Sequence, residues 1–171
     1  MVRNVFLIGP MGVGKTTVGR HLARILGADF LDSDSEIERR TGVSIRTIFD
    51  IEGEEGFRKR EATVIDELTQ REGIVLATGG GAVLVDETRR ALRTRGTVVY
   101  LHATIDTQMR RTRMSRDRPL LDTDDREGRL ESLMEVREPL YRQEADLIIT
   151  TDRRSPAKVA REIADKLETP C

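Results

Sequence analysis

Gly9-Pro10-Met11-Gly12-Val13-Gly14-Lys15-Thr16, followed by Thr17, decides how the rest of the chain is read. It fits the phosphate-binding pattern Gly-x-x-x-x-Gly-Lys-Ser/Thr at every fixed position. Just before it, Val5-Phe6-Leu7-Ile8 is a short β-branched and aromatic run that reads as a buried strand. Just after it, Val18, Leu22, Ile25 and Leu26 recur at helical spacing until Gly27 offers a C-cap. Strand, glycine turn and helix in that order aim successive backbone N–H groups at phosphate oxygens, and the helix N-terminus adds partial positive charge. Lys15 would place a full charge on the outer phosphates, and the Thr16 hydroxyl would ligate Mg2+. Lysine is rare here: Lys15, Lys59, Lys158 and Lys166 are the only ones among 29 lysine and arginine residues. One of the four stands where a phosphate clamp requires it. The stretch predicts a nucleoside triphosphate site.

The remainder of the chain limits what that nucleotide serves. With 171 residues, a single domain with a sizeable core is expected over 1–171. A net charge of −1 gives no basic field for nucleic acid, and four Phe, two Tyr and no Trp make a poor stacking platform for single strands. Cys171 is the only cysteine, which excludes an internal disulfide and a cysteine-based zinc site. The N-terminal strand runs straight into the phosphate loop, so no signal peptide or membrane span is expected and a cytoplasmic location follows. A guanine switch reads its base with an Asn-Lys-x-Asp loop, yet the only asparagine is Asn4.

Five apolar runs read as strands: Val5–Ile8, Phe30–Leu31, Ile74–Ala77, Val98–Leu101 and Asp146–Thr150. Helical segments alternate with them, predicting a parallel sheet covered on both faces. About forty residues separate strands two and three, too many for one crossover helix, so an insertion over about 33–61 is expected to carry part of a substrate site. Within that stretch, Ser44 should cap a helix ending near Gly53, and a second helix should run from about Glu54 to Arg71 with Phe57, Val64, Ile65 and Leu68 inward. Ser155 and Pro156 predict the start of a final helix. The polar segment from about 113 to 125, interrupted by Pro119, is either a surface loop or a mobile lid that closes over phosphates and delivers an arginine.

Asp32-Ser33-Asp34 follows the second strand, at the crevice where a doubly wound sheet binds ligands. Asp32 is a candidate to hold Mg2+, directly or through water, and Asp34 to orient or deprotonate a hydroxyl acceptor. Either is also placed to cap a helix over Glu36 to Arg40. Strand three ends in Thr78-Gly79-Gly80-Gly81, without the acidic residue that often binds metal there, which puts more weight on Asp32. Three glycines suit a backbone that must approach a ligand closely. From about Arg126, Leu130, Met134, Arg137 and Tyr141 share one stripe, and Glu61 lies between Phe57 and Leu68, one turn from Arg58. An unpaired buried charge costs about 3–5 kcal/mol, so a buried Arg58–Glu61–Arg137 cluster is expected. It is either a purely structural salt bridge or one whose spare donors face an anionic substrate, since an arginine fork suits a carboxylate.

Taken together, these residues resemble the shikimate kinase family over almost the whole chain. The resemblance rests on Gly9–Thr17, Asp32-Ser33-Asp34, Gly53-Glu54-Glu55-Gly56-Phe57-Arg58, Ala77-Thr78-Gly79-Gly80-Gly81, Arg118-Pro119-Leu120-Leu121 and Arg137-Glu138-Pro139-Leu140-Tyr141. It implies a three-layer α/β/α P-loop kinase fold with a five-stranded parallel sheet in order 2-3-1-4-5, usually monomeric. It also implies transfer of the ATP γ-phosphoryl group to the 3-hydroxyl of shikimate, in aromatic amino acid biosynthesis. By the same resemblance Gly12, Val13, Gly14, Lys15, Thr16 and Thr17 would hold ATP, and Thr16 and Asp32 would serve Mg2+. Asp34 would bind the shikimate hydroxyls, Gly79, Gly80 and Gly81 would approach the ring, and Arg58 with Arg137 would clamp the carboxylate. Arg118 would be the lid arginine on the phosphates, while Arg111 and Arg154 would face the adenine. Lys15, Asp34 and Arg118 would then carry the chemistry.

Overall fold

The computed structural model describes residues 3–113, 119–121 and 123–168. Its strands are β1 (Val5–Ile8), β2 (Asp29–Asp32), β3 (Ile74–Ala77), β4 (Thr97–His102) and β5 (Leu147–Thr150). Its helices are α1 (Lys15–Leu26), α2 (Ser33–Thr41), α3 (Ile45–Leu68), α4 (Asp86–Arg95), α5 (Ile105–Thr112), α6 (Arg126–Glu144) and α7 (Pro156–Glu168). The strands pair in parallel in the order β2-β3-β1-β4-β5. Three layers follow from the period of two along each strand. Phe6, Ile8, Leu76, Val98 and Tyr100 point to one face with Phe57, Ile65 and Leu92. Val5, Leu7, Val75, Val99 and Leu101 point to the other, against Val18 and Leu22 of α1 and Val159 and Ile163 of α7.

The chain leaves β1 for β2, beyond β3, and leaves β3 for β4, beyond β1. The carboxyl ends of β1 and β3 are therefore neighbours whose following loops diverge, which opens a crevice between them. Gly9–Gly14 forms one wall and Thr78–Gly81 the other. Thr78 fastens the two, donating through both its amide and its hydroxyl to the Leu7 carbonyl, at 3.2 and 2.9 Å.

Element boundaries differ from the sequence reading where side chains cap. α2 begins at Ser33, three residues before Glu36, because Asp32 Oδ1 accepts from the Ser35 amide at 3.1 Å. The helices expected on either side of Gly53 are joined in α3, with Gly53 at φ 72° marking the kink between them. Ser44 caps α3 as expected, accepting from the Thr47 amide at 3.2 Å. α3 stops at Leu68 rather than Arg71, where the Thr69 hydroxyl turns back to the Ile65 carbonyl at 2.8 Å. Of the segment 113–125, Pro119–Leu121 forms a single 3-10 turn whose Leu121 is buried against Met11 and Leu130.

Candidate active site

The phosphate side is built from the turn after β1. Gly14, at φ 89°, lets the loop enter α1 in a left-handed conformation, and no side chain caps the helix or places an acid in its first turn. The amides there are left open to an anion. Lys15 Nζ curls over the loop and donates to the carbonyls of Gly9 and Pro10, at 2.5 and 2.9 Å. Thr16 Oγ1 donates to Asp32 Oδ2 at 2.8 Å. Arg111 crosses from α5 to the Gly12 carbonyl, 3.2 Å away, and to Thr151 at the end of β5. Lys15, Thr16, Asp32 and Arg111 line a cavity, open to solvent, with about 920 Å3 of empty space, together with Thr17, Asp34, Thr78 and Gly79.

The other side is built from α3, the triple glycine and α6. Arg58 Nη1 lies 2.8 Å from Glu61 Oε1, and Glu61 is only 1% exposed. Burial pushes the Glu61 carboxyl above its ordinary range, opposed by the Arg58 guanidinium and then by Arg137 and Lys15. Its second oxygen, Oε2, has no hydrogen-bond partner among the described residues and points at Gly79. A Cβ on Gly79 would lie 2.5 Å from that oxygen and 3.1 Å from Asp34 Oδ1, and a Cβ on Gly81 would overlap the Arg58 guanidinium. At the two outer glycines a side chain would therefore displace the tip of Glu61 or of Arg58 from the place it holds. Arg58, Asp34, Phe49, Phe57, Leu120 and Arg137 surround a second cavity, open to solvent, with about 430 Å3 of empty space.

The cluster expected of Arg58, Glu61 and Arg137 forms only in part. Arg58 takes Glu61, while Arg137, 3% exposed, has no described carboxylate within ion-pair distance. Burial pulls its guanidinium below the ordinary range, and the phenolic oxygen of Tyr141 is the largest opposing influence. The reason is geometric: Arg58 and Glu61 are one turn apart on the same helix, whereas Arg137 arrives from α6 on the far side of Gly80, 3.4 Å from where its Cβ would be.

Among the expected site residues, Gly12, Gly14, Lys15, Thr16, Thr17, Asp32 and Arg111 come together at the first cavity, and Arg58, Gly81 and Arg137 at the second. Asp34, Gly79 and Gly80 line both. Val13 is buried against α1 instead of lining either one. Arg154 is not brought to the phosphate cavity, because Glu162 of α7 holds it at 2.6 Å and the Thr150 carbonyl at 3.1 Å. Arg118 lies outside the described residues. Sequence reasoning missed Met11, Ile45 and Phe49 as walls of the second cavity. Met11 occupies a variable position of the glycine motif, and Ile45 and Phe49 carry no chemistry that a motif would flag.

Comparisons with known proteins identify the family. A family model described as shikimate kinase matches residues 11–168. The chain is 57% identical over 165 residues to a shikimate kinase of Shewanella frigidimarina, covering 96% of each protein. It is 57% identical to one from Halorhodospira halophila, covering 96% of this chain and 93% of the relative. Among solved structures it resembles shikimate kinase from Acinetobacter baumannii in complex with shikimate, with a TM-score of 0.97 and 48% identity over 98% of this chain and 94% of that one. Shikimate kinase from Bacteroides thetaiotaomicron follows with a TM-score of 0.88 and 32% identity over 98% and 99%. A family model over residues 11–168 and relatives 57% identical over 96% of this chain show that it belongs to the shikimate kinase family.

Proposed function

We infer that the chain transfers the γ-phosphoryl group of ATP to the 3-hydroxyl of shikimate, giving shikimate 3-phosphate and ADP for aromatic amino acid biosynthesis. The observation that carries this reading is the meeting of two cavities at Asp34, Gly79 and Gly80. A donor cradle on one side and an arginine-lined acceptor site on the other share one carboxylate at their junction. That is the position from which a hydroxyl can be aimed in line at a terminal phosphate.

Each side chain has a distinct task in this scheme. Gly12, Val13, Gly14, Lys15, Thr16 and Thr17 hold the nucleotide, with Arg111 bracing the loop from behind. Lys15 leaves its two carbonyl partners for the phosphates, where it stabilises charge on the transferring oxygens. Arg58 and Arg137 clamp the substrate carboxylate, Arg58 being held at the cavity by Glu61. Asp34 aims the acceptor hydroxyl. Arg118, by sequence, is the lid arginine, and Arg154 would face the adenine only after releasing Glu162. The insertion over about 33–61 supplies Asp34, Ile45, Phe49 and Arg58 to the acceptor cavity.

Thr16 and Asp32 fit Mg2+. They present a hydroxyl and a carboxylate 2.8 Å apart at the edge of the phosphate cavity. Among the described residues no cluster of three His, Cys, Asp or Glu forms a dedicated cage. Few protein oxygens, with phosphates and water completing the shell, is the manner in which Mg2+ is held beside nucleotides. When bound, the ion neutralises charge on the phosphate oxygens. No described helix is long and apolar enough to cross a membrane, and we take the protein to work as a cytoplasmic monomer without a nucleic-acid partner. A coupled assay of ADP release tests the reading. Turnover should depend on shikimate and not appear with gluconate or nucleoside monophosphates; the reverse pattern would remove shikimate as the acceptor.

A further inference from the structure

We propose that Tyr141 is a positioning residue of the acceptor site, its buried hydroxyl fastening the Gly80 carbonyl on one side and facing the Arg137 guanidinium on the other. The inference rests on the acceptor site assigned above and adds to it a residue that lines neither cavity. Tyr141 is 0% exposed, and its hydroxyl donates to the Gly80 carbonyl at 2.5 Å, across 61 residues of sequence. Arg137 and Tyr141 stand four residues apart on α6, so both side chains leave one face of the helix. With the hydroxyl proton directed at Gly80, a lone pair of the same oxygen remains for Arg137.

Three features make this more than a satisfied core tyrosine. The guanidinium four residues before it on α6 is a buried cation with no described carboxylate within ion-pair distance, and the Tyr141 phenol is the strongest influence favouring its charge. The carbonyl it holds belongs to the middle residue of the triple glycine, a backbone with no side chain of its own to fix it in place. The ring itself is clamped: it stacks on Tyr100 of β4 with centroids 5.0 Å apart, and Tyr100 is bonded through its hydroxyl to Glu138, which Arg142 also holds. Burial pushes the Tyr141 phenol far above its ordinary range, so the hydroxyl keeps its proton and remains a donor to Gly80 across the working pH range. One buried hydroxyl on the helix that carries Arg137 thereby ties that helix to the glycine wall of the cavity.

Tyr141→Phe tests the proposal, because it deletes the hydroxyl and keeps the stacked ring. The expected result is a rise of about tenfold in shikimate KM, the scale of one lost hydrogen bond to a charged group, with the KM for ATP within about twofold of wild type. At one fixed shikimate concentration the rise in melting temperature should be smaller than in wild type, while the rise given by ADP should be unchanged. Thr69→Val is the control: it removes a buried hydroxyl at the end of α3, on a residue that lines neither cavity, and should cost stability while leaving shikimate KM unchanged. An unchanged shikimate KM in Tyr141→Phe, or equal rises in both variants, would overturn the proposal. If Tyr141→Phe melts too low for kinetics, calorimetric binding of shikimate and ADP in the cold applies the same criterion. Absence of shikimate turnover in the wild-type protein would instead overturn the assigned reaction.

Discussion

Glu61 gives one carboxylate oxygen to Arg58, at 2.8 Å, and turns the other toward the bare backbone of Gly79. A buried carboxylate of this kind holds the arginine at the cavity, and it does so at a cost. Arg58, Arg137 and Lys15 all favour its charge, yet burial outweighs them and its affinity for a proton is higher folded than unfolded. The stabilising contribution of the protonated form is complete below the ordinary 4.5 of a glutamate and is lost as pH rises through the elevated folded value. Glu61→Gln, which never ionises, should therefore gain stability relative to wild type as pH rises from about 5 to about 8. Urea unfolding of both proteins across that range measures it. A wild type that gains on the variant would mean that pairing with Arg58 outweighs burial.

Asp34 lies at the junction of the two cavities, so its loss should affect chemistry more than nucleotide binding. Asp34→Asn keeps shape and hydrogen-bonding reach but removes the charge that aims the acceptor hydroxyl. A fall in kcat of about 10²–10⁴ is expected, the usual scale for a positioned acid–base group, with ADP affinity preserved. Near-normal turnover would take Asp34 out of the acceptor site.

Asp32 serves two masters, and its two oxygens separate them. Oδ1 caps α2 through the Ser35 amide, and Oδ2 accepts from the Thr16 hydroxyl. Asparagine caps a helix as well as aspartate does, so Asp32→Asn should retain most of the stability of α2. It loses the anionic oxygen suited to Mg2+, and the concentration of Mg2+ needed for half-maximal rate should rise about tenfold or more, by analogy with lost outer-shell support at metal sites. A magnesium titration of initial rates, with a melting curve as the control, checks both halves.

How much of this was legible in the sequence divides along physical lines. The phosphate loop, the fully buried strands β1 and β3 and the caps at Ser44 and Ser155 are local: neighbouring residues determine them, and they appear where expected. Arg58 and Glu61 share one helical turn, so their pairing was also readable. Arg137 was read correctly as buried but given the wrong partner, since its position relative to Glu61 depends on how α6 packs against α3 and the triple glycine. The pairing of Arg154 with Glu162, eight residues ahead, depends on side-chain reach that no motif encodes. The bond from Tyr141 to Gly80 spans 61 residues and leaves no periodicity to detect.

Gly79 gives the last and sharpest test, because its φ is not in the left-handed region and only space forbids a side chain there. Gly79→Ala would place a methyl group 2.5 Å from Glu61 Oε2 and 3.1 Å from Asp34 Oδ1, so one carboxylate must retreat. Overpacking of this sort costs about 1–3 kcal/mol, and turnover should fall with it as Asp34 or the Arg58–Glu61 pair is displaced. Shortening the obstructing residue in Glu61→Asp should relieve part of the clash. The double variant is then expected to be more stable than the sum of the two single changes by at least about 0.5 kcal/mol, beyond the scatter of independent sites. Strict additivity in urea unfolding would mean that Gly79 is required by its turn alone, and that Glu61 does not press on the backbone that carries it.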